Sequence, residues 1–270
     1  DLAFAPGTHA FDVRALDHAG NVGQTRTVAI IVDQQSPYVI EHAPTGVVHH
    51  LASHVDLTFS EPIAVSSLAG AALVLSVDGT PVADPGFAVS ARGGNVYRVA
   101  FAPQVVNGEL RLDVPATVTD LAGNALNAAY GASFQQALPD LTVATVVPAA
   151  ASAAFGSDLD VTWTVANDPA AGSAVGAWSD RVYLSTDAAL DGGDLLLATV
   201  AGPGVLGPGG TYTASTTVTL PLSTAWADGD YYLIVEADGA GERDELDEAN
   251  NALAGPAVTL NVPPTPDLVK

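Results

Sequence analysis

The sequence predicts an all-β chain built as a row of β-sandwiches, on three observations: period-two patterning, turn residues at regular intervals, and an internal repeat. Residues 9–15 alternate apolar and polar side chains, 27–32 form a more apolar run, and 55–60, 96–101 and 110–114 alternate again. Residues 159–165 and 212–220 continue the pattern. Successive side chains of a strand point to opposite faces, so each run offers one face to a core and one to water. Gly, Pro, Asp and Asn gather between the runs at the spacing of a sandwich. The alanine-rich residues 149–154 are few and lie beside Pro148 and Gly156, which favours loop or edge strand over helix.

The repeat is the phrase Asp-x-Ala-Gly-Asn, present as Asp17-His18-Ala19-Gly20-Asn21 and as Asp120-Leu121-Ala122-Gly123-Asn124. Each copy ends an alternating block, so the chain reads as repeated modules. Asp and Asn side chains bond nearby backbone groups, and Gly supplies the positive φ of tight turns. The same oxygens are hard ligands that suit calcium. A turn and a metal site both fit.

Composition excludes several classes. The 270 residues carry 30 Asp+Glu against 8 Lys+Arg, a formal charge of −22, yet 48% are hydrophobic, so this is no disordered acidic tail. Such charge opposes nucleic acid and anionic membrane, which both require basic side chains. It favours cations. Cysteine is absent, so disulfide and thiolate chemistry are excluded. No apolar run approaches the roughly 20 residues of a membrane helix, and no membrane insertion is expected. The chain opens on Asp1 rather than Met, which reads as a processed product or a fragment.

Prolines mark the boundaries, at 32–37, 138–141 and 262–268. The expected partition is a partial module over 1–36, a complete module over 37–138, a second over 139–263, and a linker over 264–270. The first is too short for a sandwich of about 100 residues and reads as the last strands of a domain. Pro266-Asp267-Leu268-Val269 resembles Pro139-Asp140-Leu141-Thr142-Val143, as though another module were starting. The expectation is a window cut from a longer array.

Specific phrases carry resemblances. Pro139-Asp140-Leu141 is followed by Val161-Thr162-Trp163-Thr164-Val165-Ala166-Asn167 and then by Trp178-Ser179-Asp180-Arg181-Val182-Tyr183-Leu184-Ser185-Thr186-Asp187. Leu206-Gly207-Pro208-Gly209-Gly210, Gly229-Asp230-Tyr231-Tyr232-Leu233 and Asp247-Glu248-Ala249-Asn250-Asn251 complete the series. In this order they resemble CARDB, the cell adhesion related domain found in bacteria. Residues 37–138 resemble a bacterial Ig-like domain, through Ser36-Pro37-Tyr38-Val39, the run from Val55 to Ile63, and Val118-Thr119-Asp120-Leu121-Ala122-Gly123-Asn124. Residues 1–36 are similar to the tail of a related module. The resemblance implies tandem immunoglobulin-like β-sandwiches from a large bacterial surface protein or adhesin, at the cell surface or outside the cell.

Candidate ligands are all oxygen donors, and Ca2+ is the ion they suit. Asp187, Asp191 and Asp194 share one loop with Gly192 and Gly193, without the closing Glu of an EF-hand, since Ala198 stands there. Asp238, Asp244 and Asp247 belong to a second acidic knot with Glu242, Glu245 and Glu248, followed by Asn250 and Asn251. Solvated turns are the favoured reading of both clusters, with calcium the alternative. At the joints, Asp33 is expected to join Asp17 and Asn21, and Asp140 to join Asp120 and Asn124, where a cation would set the angle between modules and Asx-turns explain the same residues equally well. His49, His50 and His54 with His42 nearby read as a polar loop. His50 and His54 on one strand face would be about 13 Å apart.

Catalysis finds no motif: no serine sits in a Gly-x-Ser-x-Gly elbow, and no carboxylate pair stands out. Trp163 and Trp178 read as core, and Trp226 is the fairest exposed contact, although core packing is favoured there too. The expected role is therefore non-enzymatic: an extracellular stalk or adhesion fibre. Expected partners are other modules of the same protein, like chains, a cell surface or polysaccharide. Two rivals stand beside it. One is a subunit of a self-assembling filament or sheath, completed by strand addition. The other is an accessory region of a secreted hydrolase.

Overall fold

The computed structural model describes residues 4–223 and 226–264. The expected linker and module start at 264–270 lies, apart from Pro264, outside the described residues, as do Thr224 and Ala225 beside Trp226. The chain divides into two compact units, one of residues 1–45, 53–102 and 109–134, the other of 46–52, 103–108 and 135–270.

A two-stranded ribbon comes first: β1 (Gly7–Val13) pairs antiparallel with β2 (Arg26–Val32), Gly7 opposite Val32 and Val13 opposite Arg26. Pleating puts Phe11, Val13, Val28, Ile30 and Val32 on one face, where Phe4 stacks edge-on to Phe11 at 5.2 Å between ring centroids. The other face holds Thr8, Ala10, Asp12, Thr27, Ala29 and Ile31.

The sandwich that follows uses β3 (Val39–Ala43), β4 (Val47–Val48), β5 (His54–Phe59), α1 (Val65–Ala69), β6 (Val74–Val77), β7 (Thr80–Pro81), β8 (Ala88–Gly93), β9 (Val96–Ala100), β10 (Gly108–Val114) and β11 (Tyr130–Gln136). Its sheets run β3-β5-β9-β8 and β4-β11-β10-β6-β7. The alternation read from the sequence is the burial pattern. Val55, Leu57 and Phe59 of β5 are buried, as are Tyr97 and Val99 beside them, and Leu110, Leu112, Val114, Ala132 and Phe134 of the second sheet. Phe59 and Tyr97 meet edge to face, and the Tyr97 hydroxyl donates to the Ile63 carbonyl (3.1 Å) and accepts from its N–H (2.9 Å). That contact holds the chain just after Glu61. Outside the core, Arg98 clamps Asp56 with two bonds of 2.7 Å.

Gln136 ends β11 fully buried, an unusual place for an amide. Its Oε1 accepts from Ala52 N–H (2.9 Å), and its Nε2 donates to the carbonyls of Gln104 and Val106 (2.7 Å each). Every polar atom is satisfied, so burial costs little.

The second sandwich uses β12 (Leu141–Pro148), β13 (Ser152–Ala154), β14 (Asp158–Asn167), β15 (Ala174–Val175), β16 (Ser179–Ser185), β17 (Leu195–Ala201), β18 (Val205–Leu206), β19 (Thr211–Thr219), β20 (Gly229–Glu236), β21 (Ala252–Ala254) and β22 (Val258–Asn261). One sheet is β12-β14-β19, the other β13-β22-β20-β16-β17 with β21 also on β20. The alanine-rich stretch thus supplies loop and the edge strand β13. Trp163, Trp178, Phe155, Leu159, Val161, Leu233 and Leu260 pack between the sheets.

Asp180 occupies an inward position of β16 and is wholly buried in this core. Trp163 Nε1–H donates to its Oδ2 (2.7 Å), and the Tyr212 hydroxyl lies 2.7 Å from both carboxylate oxygens. Trp178 Nε1–H in turn donates to the Tyr212 hydroxyl (3.2 Å). Burial pushes the Asp180 carboxyl above its usual range, against the pull of the Trp163 and Tyr212 donors. Trp163, which reads as core by alternation, and Trp178, which fits the CARDB resemblance, are therefore also polar anchors. Removing the Tyr212 hydroxyl takes one of the donors from a buried acid, leaving Trp163 and the Asp238 backbone. Tyr212→Phe should lower unfolding free energy by about 1–3 kcal/mol in urea titration, with the urea dependence itself unchanged.

Candidate metal centre

Both copies of the repeated phrase fold into the same turn. In the first, Asp17 Oδ1 accepts from the N–H groups of Ala19 (2.9 Å) and Asn21 (2.8 Å), and Oδ2 accepts from Asn21 Nδ2 (2.8 Å). In the second, Asp120 Oδ1 accepts from Ala122 and Asn124 N–H (2.8 Å each), and Oδ2 from Asn124 Nδ2 (2.8 Å). The glycine has positive φ in each, 87° at Gly20 and 94° at Gly123, which a Cβ would strain. Sequence alone justified the turn: Asp closes it, Gly bends it, and Asn clips its end.

The surroundings of the copies differ. Asp17 is exposed, and Asn21's amide on its carboxylate holds it below the usual range. Asp120 is 3% exposed. Burial raises its pKa, but the Asn124 and Ala122 donors outweigh that and the net shift is downward. Asp33 and Glu61 stand beside it. One carboxylate oxygen from each of Asp33, Glu61 and Asp120 lies within 4.8 Å of the others, the one such trio among the described residues. Asn124 Nδ2 also donates to the Asp33 carbonyl (3.2 Å), joining the linker to the turn. An open cavity of about 390 Å³ is lined by Ile31, Asp33, Glu61, Pro62, Asp120, Leu121 and Ala122.

Three carboxylates in such a space repel one another. Glu61 shows it: partial burial and the charges of Asp33 and Asp120 raise its pKa above the usual carboxylate range. The donor set is all oxygen, the chemistry of Ca2+ rather than of a soft metal. Asp33 meets Asp120 and Asn124 here. It does not join Asp17 and Asn21, because β2 separates them by seven residues, about 23 Å of strand. Glu61 was not among the residues singled out. Positions 33, 61 and 120 have no motif spacing, and only the fold brings them together.

The remaining candidates lie elsewhere, and apart from Asp140 their carboxylates are bound by backbone N–H groups. Asp140 accepts from Asn250 Nδ2 (2.8 Å), while its N–H donates to Asn167 Oδ1 (3.0 Å). Asp187 accepts from Ala189 N–H (2.9 Å), Asp191 from Gly193 N–H (2.7 Å), and Asp194 from Asp191 N–H (2.8 Å). Asp238 accepts from Glu242 and Arg243 N–H at 2.9 and 2.7 Å. Asp244 accepts from Leu51 N–H (2.8 Å) and Asp247 from Ala249 N–H (2.9 Å). The histidines are dispersed among different partners: His42 reaches Tyr130 Oη and the Ser133 carbonyl, and His49 the Ala137 carbonyl. Trp226 stacks on Phe155 at 5.7 Å and meets Tyr231 edge-on, so it packs against the core.

Comparison with known proteins places these features. Residues 138–255 match the model of the CARDB family, and residues 33–136 match that of the bacterial Ig-like domain. No curated protein matches the chain in sequence. Among solved structures, a CARDB domain from Pyrococcus furiosus in complex with di-metal ions is 21% identical, covering 46% of this chain and 96% of that one, with a TM-score of 0.34. Native alpha-2-macroglobulin of Escherichia coli, spanning its first domains, is 14% identical over 84% of this chain and 72% of that one, with a TM-score of 0.32. The N-terminal part of a bacterial S-layer protein is 11% identical over 85% and 45%, with a TM-score of 0.30.

One acid of the C-terminal knot has a consequence for pH. Glu245 is 1% exposed, accepts from the Leu141 N–H, and accepts from Asn251 Nδ2 at 3.1 Å. Burial, with the charges of Glu248 and Asp238 nearby, pushes it up to about 8 from its ordinary 4.5, against the Leu141 N–H. The folded chain therefore favours the protonated acid. Stability from this group is fully present below 4.5 and is lost as pH rises through about 8. Asp180 and Asp238 are raised by burial in the same sense. The urea midpoint should fall between about pH 5 and pH 9, and Glu245→Gln should flatten that fall. A flat or rising profile in the unaltered chain would contradict it.

Proposed function

We propose, for a chain that joins a bacterial Ig-like domain to a CARDB domain, a mechanical role: an extracellular segment of a bacterial surface protein, acting as stalk or adhesion fibre. The observation that carries this reading is the convergence of Asp33, Glu61 and Asp120 where the chain passes from the β1–β2 ribbon into the next sandwich. A segment that must transmit force gains from a joint whose backbone is pinned. Here the Asp33 carbonyl is bound by Asn124, and Asp33's carboxylate faces two more. Calcium in this trio would offset the burial and the carboxylate repulsion that together raise Glu61, and tie linker to sandwich.

The two sandwiches suit the same role. Their cores are closed by alternating apolar faces, and no helix among the described residues is long and apolar enough to cross a membrane. Load would be borne by β-ladders, and specificity would lie on surfaces rather than in a catalytic cleft. Other modules of the parent protein, like chains and surface polysaccharide are the partners this chemistry suits.

Calcium binding to the folded state alone raises stability by about 2.7 kcal/mol at a hundredfold excess over Kd. Added Ca2+ should therefore raise the melting temperature, and chelator should reverse the rise. Glu61→Gln should abolish the response while slightly raising the melting temperature in chelator, because one of three repelling charges is gone. The same calcium response in Glu61→Gln, or none in the unaltered chain, would remove the site from the account.

A further inference from the structure

We propose that the outer edge of β19 is a self-association surface, on which a second copy of this chain adds its own β19 in antiparallel register. β19 ends the β12-β14-β19 sheet and pairs only with β14 among the described residues. Flanking bonds reveal which of its backbone groups are used. Asn167 N–H donates to the Gly210 carbonyl, and Leu220 N–H to the Ser157 carbonyl. Even-numbered residues of this strand therefore turn their backbone toward β14. Thr211, Thr213, Ser215, Thr217 and Thr219 turn theirs outward.

Exposed edges normally carry a device against pairing, such as a bulge, a charge, a proline or a very short strand. Other edges of this unit have one. β12 is bulged between Val143 and Thr145 and ends in Pro148, the β16–β17 ladder is bulged between Val182 and Tyr183, and β13 has three residues. β19 runs for nine residues, Thr-Tyr-Thr-Ala-Ser-Thr-Thr-Val-Thr, with no proline, charge or bulge.

The side chains say what fits. An antiparallel two-fold centred on Ser215 sets Thr211 against Thr219, Thr213 against Thr217, and Ser215 against itself. All of these are outward residues, so each pair exchanges two N–H···O=C bonds. On the opposite face Tyr212 meets Val218 and Ala214 meets Thr216. Cross-strand Thr and Ser pairs are favourable, and no like charges oppose one another in this register. The nearest acids, Asp158 and Asp160, lie one strand back, bound by the hydroxyls of Thr219 (2.7 Å) and Thr217 (2.6 Å). A near-palindrome of this kind matches itself, which makes the contact isologous and its occupant a second copy. The opposing force is the net charge of −22, which salt screens. The inference goes beyond the stalk reading and stands whether or not the ion site binds calcium.

Sedimentation equilibrium of the 270-residue chain tests it. A reversible monomer–dimer equilibrium is expected, tighter at about 1 M than at about 0.15 M salt. Slowed amide exchange at Thr213, Ser215 and Thr217 is expected to accompany it. Ser215→Pro removes an outward N–H without touching the β14 ladder, and Ser215→Lys sets two like charges at the axis. Each should weaken the dimer by roughly tenfold or more, at an unchanged monomer melting temperature. Val147→Lys, on β12, should leave it unaltered. If Ser215→Pro does not fold, Ser215→Lys and the exchange data decide. A chain that is monomeric at every concentration and salt overturns the proposal, as does a dimer indifferent to the folded Ser215 variants or abolished by Val147→Lys.

Discussion

Everything in this chain has to accommodate carboxylates that have few cations to pair with. Thirty Asp and Glu share eight Lys and Arg, and among the described residues the ion pairs are Arg98 with Asp56 and Arg111 with Asp113. The protein's answer is its own backbone. Asp17, Asp120, Asp168, Asp187, Asp191 and Asp247 each accept an N–H from the turn they begin, so the negative charge is spent on closing loops. A charge-assisted bond of this kind is stronger than a neutral one and needs no counter-residue. Two arrangements go beyond that scheme. Glu245 and Asp180 are buried and pushed toward the protonated form, and Glu61 faces exposed Asp33 and buried Asp120 at an open cavity.

Those two arrangements imply different responses. A buried acid adjusts by holding its proton, which links stability to pH. A partly exposed trio is reached by solvent, and under the proposed reading a divalent cation would relieve it instead. The contrast between the repeated turns makes the point locally. The hydrogen bonds are the same at Asp17 and Asp120, yet only the second has Asp33 and Glu61 beside it. The phrase itself is a turn; what surrounds it makes it a candidate site.

Much of the fold was legible because β-sandwich cores obey a period of two. β5, β9, β10, β14 and β19 fall within two residues of the alternating runs, and the bacterial Ig-like and CARDB resemblances hold. Burial of polar groups was not legible. Asp180, Gln136 and Glu245 look like surface residues in sequence, and each is inside because donors from distant strands or loops converge on it. The trio was half legible: Asp33 and Asp120 are both candidates in sequence, Asp120 with its partner Asn124, but Asp33 is assigned there to the other joint. Asp33 follows β2 and Asp17 precedes it, so a strand keeps them apart, while Glu61 arrives from the end of β5 with no sequence signal.

Under the proposed function one carboxylate trio, not the many acidic turns, takes the cation. An anomalous difference map from crystals grown with calcium, or soaked in a lanthanide of similar size, tests it most directly. The account predicts a peak coordinated by Asp33, Glu61 and Asp120. A map with no density there, or with its peaks at Asp187, Asp191 and Asp194 or at Asp244 and Asp247 instead, would contradict it.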